Sequence, residues 1–212
     1  MNGGAVRGAG RPDRPEPDRP DWDDWLESHL FDRRVVVLRG PLDAAIATRV
    51  ASQLMALDAS GDEAVQLQLD SPGGSLEAAF AVADVIDVLG VPVEVLCMGR
   101  VEGTAVLVAA VCPRRAAFEH CRFAMREPPV EIAGPAAQLE VQLAYHEAAI
   151  VRYHERLAAA MGRPVAEIEA ESSRGGFRGA SEAVELGIVD KVVQAKVSRL
   201  RAVPPAPGGA PI

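Results

Sequence analysis

The chain has 212 residues, of which 49% are hydrophobic and only 4% aromatic, and it carries a formal net charge of −8. That length suits one domain whose core is built from Ala, Val, Leu and Ile. The acidic balance argues against a general nucleic-acid surface, which needs clustered positive charge, while leaving room for a local basic patch. The most apolar long window, 91–111, contains Glu94, Arg100 and Glu102, a charge density that argues against a membrane span.

The basic residues are almost all arginine; Lys191 and Lys196 are the only lysines. Three cysteines, Cys97, Cys112 and Cys121, form no close-spaced framework, and the odd count points to a reducing cytoplasm. Residues 1–24 are rich in Pro, Arg and Asp and lack the apolar stretch of a signal peptide, so this segment is expected to be disordered. A folded domain is expected over 25–198, followed by a loose Pro-rich tail over 199–212.

Along the chain, Trp22, Trp25, Leu26 and Leu30 suggest a short docking helix. A strand is predicted at 34–38, closed by Gly40-Pro41, and Ile46, Val50, Leu54 and Leu57 recur at helical spacing after it. Val65, Leu67 and Leu69 alternate with polar residues as a half-buried strand does, Ser71-Pro72-Gly73-Gly74-Ser75 breaks the pattern, and Ala79, Val82, Ala83, Ile86 and Leu89 continue as a helix that Gly90 caps. Glycines at a strand-to-helix junction either make a plain tight turn or cradle an anion on backbone N–H groups at the helix N-terminus. A strand at 93–97, a turn at Gly99 and an apolar helix over 104–111 follow. Two short strands near 115–118 and 122–126, a long helix over 135–161, a short helix over 180–186 stopped by Gly187, and a last strand at 188–193 complete the pattern. Strands alternating with helices predict an α/β domain with a largely parallel sheet.

Four motifs in order carry a resemblance: Leu69-Asp-Ser-Pro-Gly-Gly-Ser75, Cys97-Met98-Gly99, the stretch 122–128, and Ser181-Glu-Ala-Val-Glu-Leu-Gly-Ile-Val-Asp190. Over roughly residues 25–195 the chain resembles the Clp protease proteolytic subunit family. The resemblance implies a crotonase-like fold of repeated βαβ units with a protruding handle helix, here 135–161, where opposing rings meet. It also implies heptameric rings stacked face to face. Active members are serine peptidases fed by a ring-shaped ATPase unfoldase, and no cofactor is implied.

The family's catalytic residues transfer poorly. Its nucleophilic serine follows Met-Gly by four residues, which is Gly103 here, or Glu102 if the register slips by one. Its general base precedes a Gln-Pro pair, and Arg126 stands there before Glu127-Pro128. Its orienting aspartate follows an arginine, and Gly175 stands after Arg174. A serine triad needs a nucleophile, a base in reach and a group orienting the base. Glycine offers no hydroxyl or carboxylate, and arginine stays protonated. The backbone donors of the oxyanion hole correspond to Gly73, Gly74 and Thr104 and could still bind a carboxylate or carbonyl without turnover.

The resemblance therefore implies an inactive subunit with a structural or regulatory place in a ring, beside an active paralogue and a Clp-type ATPase. Two alternatives stand beside it: a hydrolase using Thr104 or Glu102, and a stand-alone module that binds peptide segments. Other chemistry-bearing residues read as structural. Thr104 suits a helix start, Ser71 and Ser75 suit turn and cap positions, and Cys97 suits the core. His120 suits a loop or strand, and His146 and His154 suit a surface or an interface. Cys112, His120 and Cys121 match no usual zinc spacing, so no metal is expected. Leu139, Leu143, Ile150, Leu157 and Met161 form an apolar stripe on the long helix. Ser173 stands where many family members carry an acidic residue that pairs across the rings, which removes that partner.

Overall fold

A computed structural model describes residues 22–128 and 134–193; the expectations for residues 1–20 and for the tail from Val203 lie outside this range. The sheet is parallel throughout. Its order is β1 (Val35–Arg39), β2 (Val65–Ser71), β3 (Val93–Glu102), β4 (Arg114–Phe118) and β6 (Lys191–Val193), and β5 (Arg122–Ala124) pairs with the far end of β3. Between the strands lie α2 (Ala44–Ala59), α3 (Leu76–Val88) and α4 (Ala105–Ala110); α1 (Trp22–Phe31) precedes the sheet. Ahead of β6 come α5 (Ala136–Met161), α6 (Val165–Arg174) and α7 (Ala180–Glu185). This is the α/β arrangement with a parallel sheet that the alternation of elements predicts.

The local chemistry explains the elements. On β2 every second residue, Val65, Leu67, Leu69 and Ser71, is buried, the period of a pleated strand with one face on the core. Asp43 caps α2 by accepting the Ile46 N–H at 2.8 Å, and Ser75 caps α3 by accepting the Ala78 N–H at 3.0 Å. The buried stripe of α3, from Leu76 through Ala79, Val82 and Ala83 to Ile86, joins that of α2 in a core made almost wholly of aliphatic side chains.

Four expectations need correction. Gly90 is not a left-handed cap: α3 ends at Leu89 in extended backbone, and Asp58 Oδ1 instead accepts the N–H groups of Gly90 and Val91 at 2.9 and 3.0 Å. Gly99 does not end the third strand. The pairing of β2 with β3 runs Leu69 to Cys97 and then Ser71 to Val101, so β3 bulges around Met98 and Gly99 and continues to Glu102. Gly99 has φ +53°, and an added Cβ would lie 2.9 Å from Asp70 Oδ1, the atom that accepts the Arg100 N–H. Helix α6 was not expected; only Ile168 and Ser172 of it are buried, too few for a visible stripe, although Pro164 before it and Arg174 in its last turn mark its ends. The last strand is shorter than expected, because Ile188 and Val189 are buried ahead of the ladder that starts at Lys191.

The long helix divides in two. Its C-terminal half is core, with Ala149, Tyr153, His154, Leu157 and Met161 buried, whereas Val141, Leu143 and Tyr145 are exposed. The apolar stripe therefore splits between the core and the protruding end. His154 is buried rather than at the surface, with no partner for Nε2 among the described residues. Burial pulls its pKa below the ordinary value, against the opposing pull of Glu127 and Glu169.

Candidate functional site

Two backbone crossings build the floor of the cleft. The Leu42 N–H donates to Gly73 O at 3.0 Å and the Ser75 N–H donates to Leu42 O at 2.9 Å, so the chain before α2 lies against the Gly-rich turn. A Cβ on Gly74 would lie 2.0 Å from Leu42 O. One on Gly73, at φ +84°, would lie 2.6 Å from Glu102 O and 2.9 Å from Thr104 N. No side chain fits at either place, so both glycines are required by close approach of backbone. The turn is thereby pressed against the junction of β3 and α4.

At that junction Gly103 turns the chain with φ +53°. Its N–H donates to Ala124 O at 2.8 Å, and its carbonyl accepts the buried Tyr153 hydroxyl at 2.9 Å. Burial pushes the Tyr153 hydroxyl well above its usual pKa, so it remains a donor. An added Cβ at Gly103 would meet nothing closer than Pro72 O at 3.6 Å, then Arg126 O at 3.9 Å. A Cβ at Gly175, where φ is +58°, would lie 3.8 Å from Arg126 Cγ. Gly103, Arg126 and Gly175 thus adjoin one another through Arg126, although they are far apart in the chain.

The backbone donors named above are partly engaged. The Gly73 N–H donates to Ser71 Oγ at 3.1 Å, and the Gly74 N–H donates to Thr104 Oγ1 at 2.8 Å. The Thr104 hydroxyl donates in turn to Gly74 O at 3.2 Å. Thr104 does stand at the N-cap of α4, yet its side chain makes no cap bond and instead ties the helix start to the Gly-rich turn. A carboxylate or carbonyl entering here would have to displace one of these hydroxyls.

Glu102 is the residue whose role the sequence did not reveal. Its side chain is only 4% exposed and sits between two guanidinium groups. Arg122 donates to Oε1 from Nε at 3.1 Å and from Nη2 at 2.7 Å, and Arg126 donates to Oε2. Phe177 lies under both arginines, its ring centre 4.5 Å from Cζ of Arg122 and 5.7 Å from Cζ of Arg126. The cleft therefore holds an Arg–Glu–Arg cluster walled by an aromatic ring. The only hint in the sequence was a glutamate at 102 beside arginines at 122 and 126; their meeting depends on the pairing of β5 with the end of β3.

The remaining candidates fall elsewhere. All three cysteines are free and buried; burial raises Cys112 and Cys121 to about 12 and Cys97 well above its usual value, so none supplies a thiolate at neutral pH. No group of three or more metal-ligating side chains occurs among the described residues. Ser173 Oγ reaches Glu127 Oε1 only at 3.5 Å, while Arg174 pairs with Glu171 at 2.7 Å. No described helix is long and apolar enough to cross a membrane.

Comparison with known proteins agrees with this arrangement. The family profile described as Clp protease matches residues 19–196. The chain is 31% identical over 173 residues to the ATP-dependent Clp protease proteolytic subunit 3 of Rhizobium johnstonii, covering 79% of this chain and 87% of that protein. It is 34% identical over 173 residues to the protein of the same name from Rhodococcus jostii, covering 80% of this chain and 86% of that one. With the parallel sheet, the Gly-rich turn against the β3–α4 junction and the long helix α5 all in place, the chain belongs to the Clp protease family.

Proposed function

We propose that this chain is a catalytically inactive proteolytic-subunit homologue. It would serve as a structural or regulatory member of a ring beside an active paralogue, in a protein-degradation complex fed by a Clp-type ATPase. One observation supports the reading: Gly103, Arg126 and Gly175, the residues that the family resemblance sets at nucleophile, base and orienting acid, adjoin one another through Arg126. Without a hydroxyl at 103 there is no acyl acceptor, and the Arg126 guanidinium is already committed to Glu102.

The substitutes for a nucleophile are poorly equipped. Thr104 Oγ1 is engaged with both the N–H and the carbonyl of Gly74, and no base is among its hydrogen-bond partners in the described residues. Glu102 is held by two arginines, which stabilise the carboxylate and lower its nucleophilicity.

The test is labelling of the purified chain with a serine-reactive fluorophosphonate, beside a peptidase assay and native co-purification with mass spectrometry. The expected result is no label, no turnover and a stoichiometric complex with an active proteolytic subunit. Robust labelling at any residue would overturn the proposal, and a stable monomer that never joins such a subunit would favour a stand-alone peptide-binding module.

A further inference from the structure

We propose that Arg122 and Arg126, seated on Glu102 and walled by Phe177, form a recognition site for a carboxylate on an extended peptide. This rests on the reading of a retained cleft without turnover and deepens it by naming the chemistry the cleft prefers.

The charge balance is the first observation. One carboxylate, 4% exposed, is set against two guanidinium groups whose side chains are 50% and 48% exposed. The cluster is left one positive charge in excess, in a chain whose net charge is −8. The excess acts locally, since screening at physiological salt confines it to about 8 Å.

The second observation is donor capacity. A guanidinium carries five N–H donors. Among the described residues, Arg126 donates only through Nη2, to one oxygen of Glu102, and Arg122 only through Nε and Nη2, to the other. Neither group is saturated, and both are open to solvent. A second carboxylate would complete a two-by-two array of charge-assisted hydrogen bonds.

The third is shape. Phe177, 57% exposed, stacks on Arg122 and holds the guanidinium plane in place, leaving apolar surface beside the charge for a peptide's side chains. Next to Phe177 in the chain, Arg178 belongs to a second Arg–Glu–Arg unit, in which Glu171 accepts from Arg174 at 2.7 Å and from Arg178 at 2.8 Å. Glu127, next to Arg126 in the chain, accepts from Ser173 Oγ at 3.5 Å. Since Ser71 and Thr104 engage the N–H groups of Gly73 and Gly74, attraction for anions in this cleft has passed from backbone donors to arginine side chains.

The experiment uses the full chain and a fluorescein-labelled Ala/Val decapeptide in three forms: with a free C-terminal carboxylate, as the C-terminal amide, and as the amide with one internal Asp. Anisotropy is expected to show at least one carboxylate form binding about tenfold tighter than the neutral amide, with the advantage shrinking as NaCl rises from about 50 to about 500 mM. The better of the two forms identifies the source of the carboxylate. Arg126→Ala should abolish the preference. Glu102→Gln, which frees donors and raises the local excess charge, should enlarge it several-fold. A merely structural cluster would lose binding in both variants, and circular dichroism establishes that both are folded. Equal binding of acid and amide, absence of binding by all three peptides, or weakening in Glu102→Gln would overturn the proposal. Chromatography of the same incubations reports cleavage separately: cleaved peptide would overturn the inactive reading, while the carboxylate preference is judged on the affinities alone.

Discussion

Two arginine–carboxylate assemblies in this molecule look alike on paper and differ in kind. Arg115 and Asp190 join β4 to the start of β6, and every nitrogen of that guanidinium has an acceptor. Nε and Nη2 donate to Asp190 Oδ1 at 3.0 and 2.6 Å, and Nη1 reaches the carbonyls of Ala110, Ala160 and Gly187. The Arg115 backbone N–H adds a bond to Asp190 Oδ2 at 2.8 Å, and the Arg115 side chain is only 17% exposed. The Glu102 cluster reverses this design: the carboxylate is buried, and the arginines are half-exposed and unsaturated. Saturation makes the first a clamp that joins three segments of chain. Spare donors make the second a surface that still has something to bind.

The largest expected effect tests whether the cleft has kept its shape. If the proposed correspondence holds, installing a triad as Gly103→Ser, Arg126→His and Gly175→Asp should give fluorophosphonate labelling about 100-fold above that of Gly103→Ser alone. The added Cβ at 103 meets nothing closer than 3.6 Å, while φ of +53° at 103 and +58° at 175 strains the backbone under both new side chains. Labelling no greater than in the single variant would mean that the cleft has drifted beyond repair.

Next comes stability. Arg115→Ala should cost about 2–4 kcal/mol in urea unfolding, because it leaves Asp190 Oδ1 and three carbonyls without the guanidinium, only the backbone N–H staying on Oδ2; the figure is discounted because Asp190 is itself partly exposed. Arg126→Ala should cost about 1 kcal/mol or less, since Arg122 still pairs with Glu102. Similar costs for the two would erase the distinction between clamp and binding surface.

A smaller effect is expected from Tyr153→Phe. It removes the 2.9 Å bond to the Gly103 carbonyl in a fully buried place, and about 1–2 kcal/mol should be lost by thermal or denaturant unfolding.

The smallest is a pH effect. Burial alone would raise the Asp190 carboxyl, but hydrogen bonds and charge from Arg115, with a contribution from Lys191, hold it below its ordinary value of 3.8. A depressed carboxylate adds stability that is fully present above the unfolded value and is lost as pH falls through the folded one. Asp190→Asn should therefore be less stable than the natural chain near neutrality, with the gap closing below about pH 3.8. A gap that stayed constant into acid would detach the clamp from its charge.

Much of the fold was legible from periodicity. Val65, Leu67 and Leu69 announce β2, Ala79, Val82 and Ile86 announce α3, and the Gly-rich stretch between them marks the turn. Misreadings arose where a side chain elsewhere took over the work of a local signal. Asp58 stands in for a glycine cap at Gly90, and Asp70 supports the bulge at Gly99 that carries β3 onward. Helix α6 escaped notice because a helix with two buried residues leaves no stripe. His154 was misjudged because one face of α5 passes from solvent into the core along its length, and spacing alone does not say where.

By itself the sequence determined the family, the order of every element except α6, and the identities of Gly103, Arg126 and Gly175, because each of these is written in local pattern and motif order. Only the tertiary structure decided what those residues do together. The parallel pairing of β5 with the end of β3 brings Arg122 and Arg126 to Glu102, and the 176–179 segment brings Phe177 beneath them. Likewise, Thr104 Oγ1 meets the Gly74 N–H only because packing brings the start of α4, thirty residues on, against the Gly-rich turn. Contacts between residues distant in the chain, set by packing and screened or exposed by burial, have no signature in local sequence.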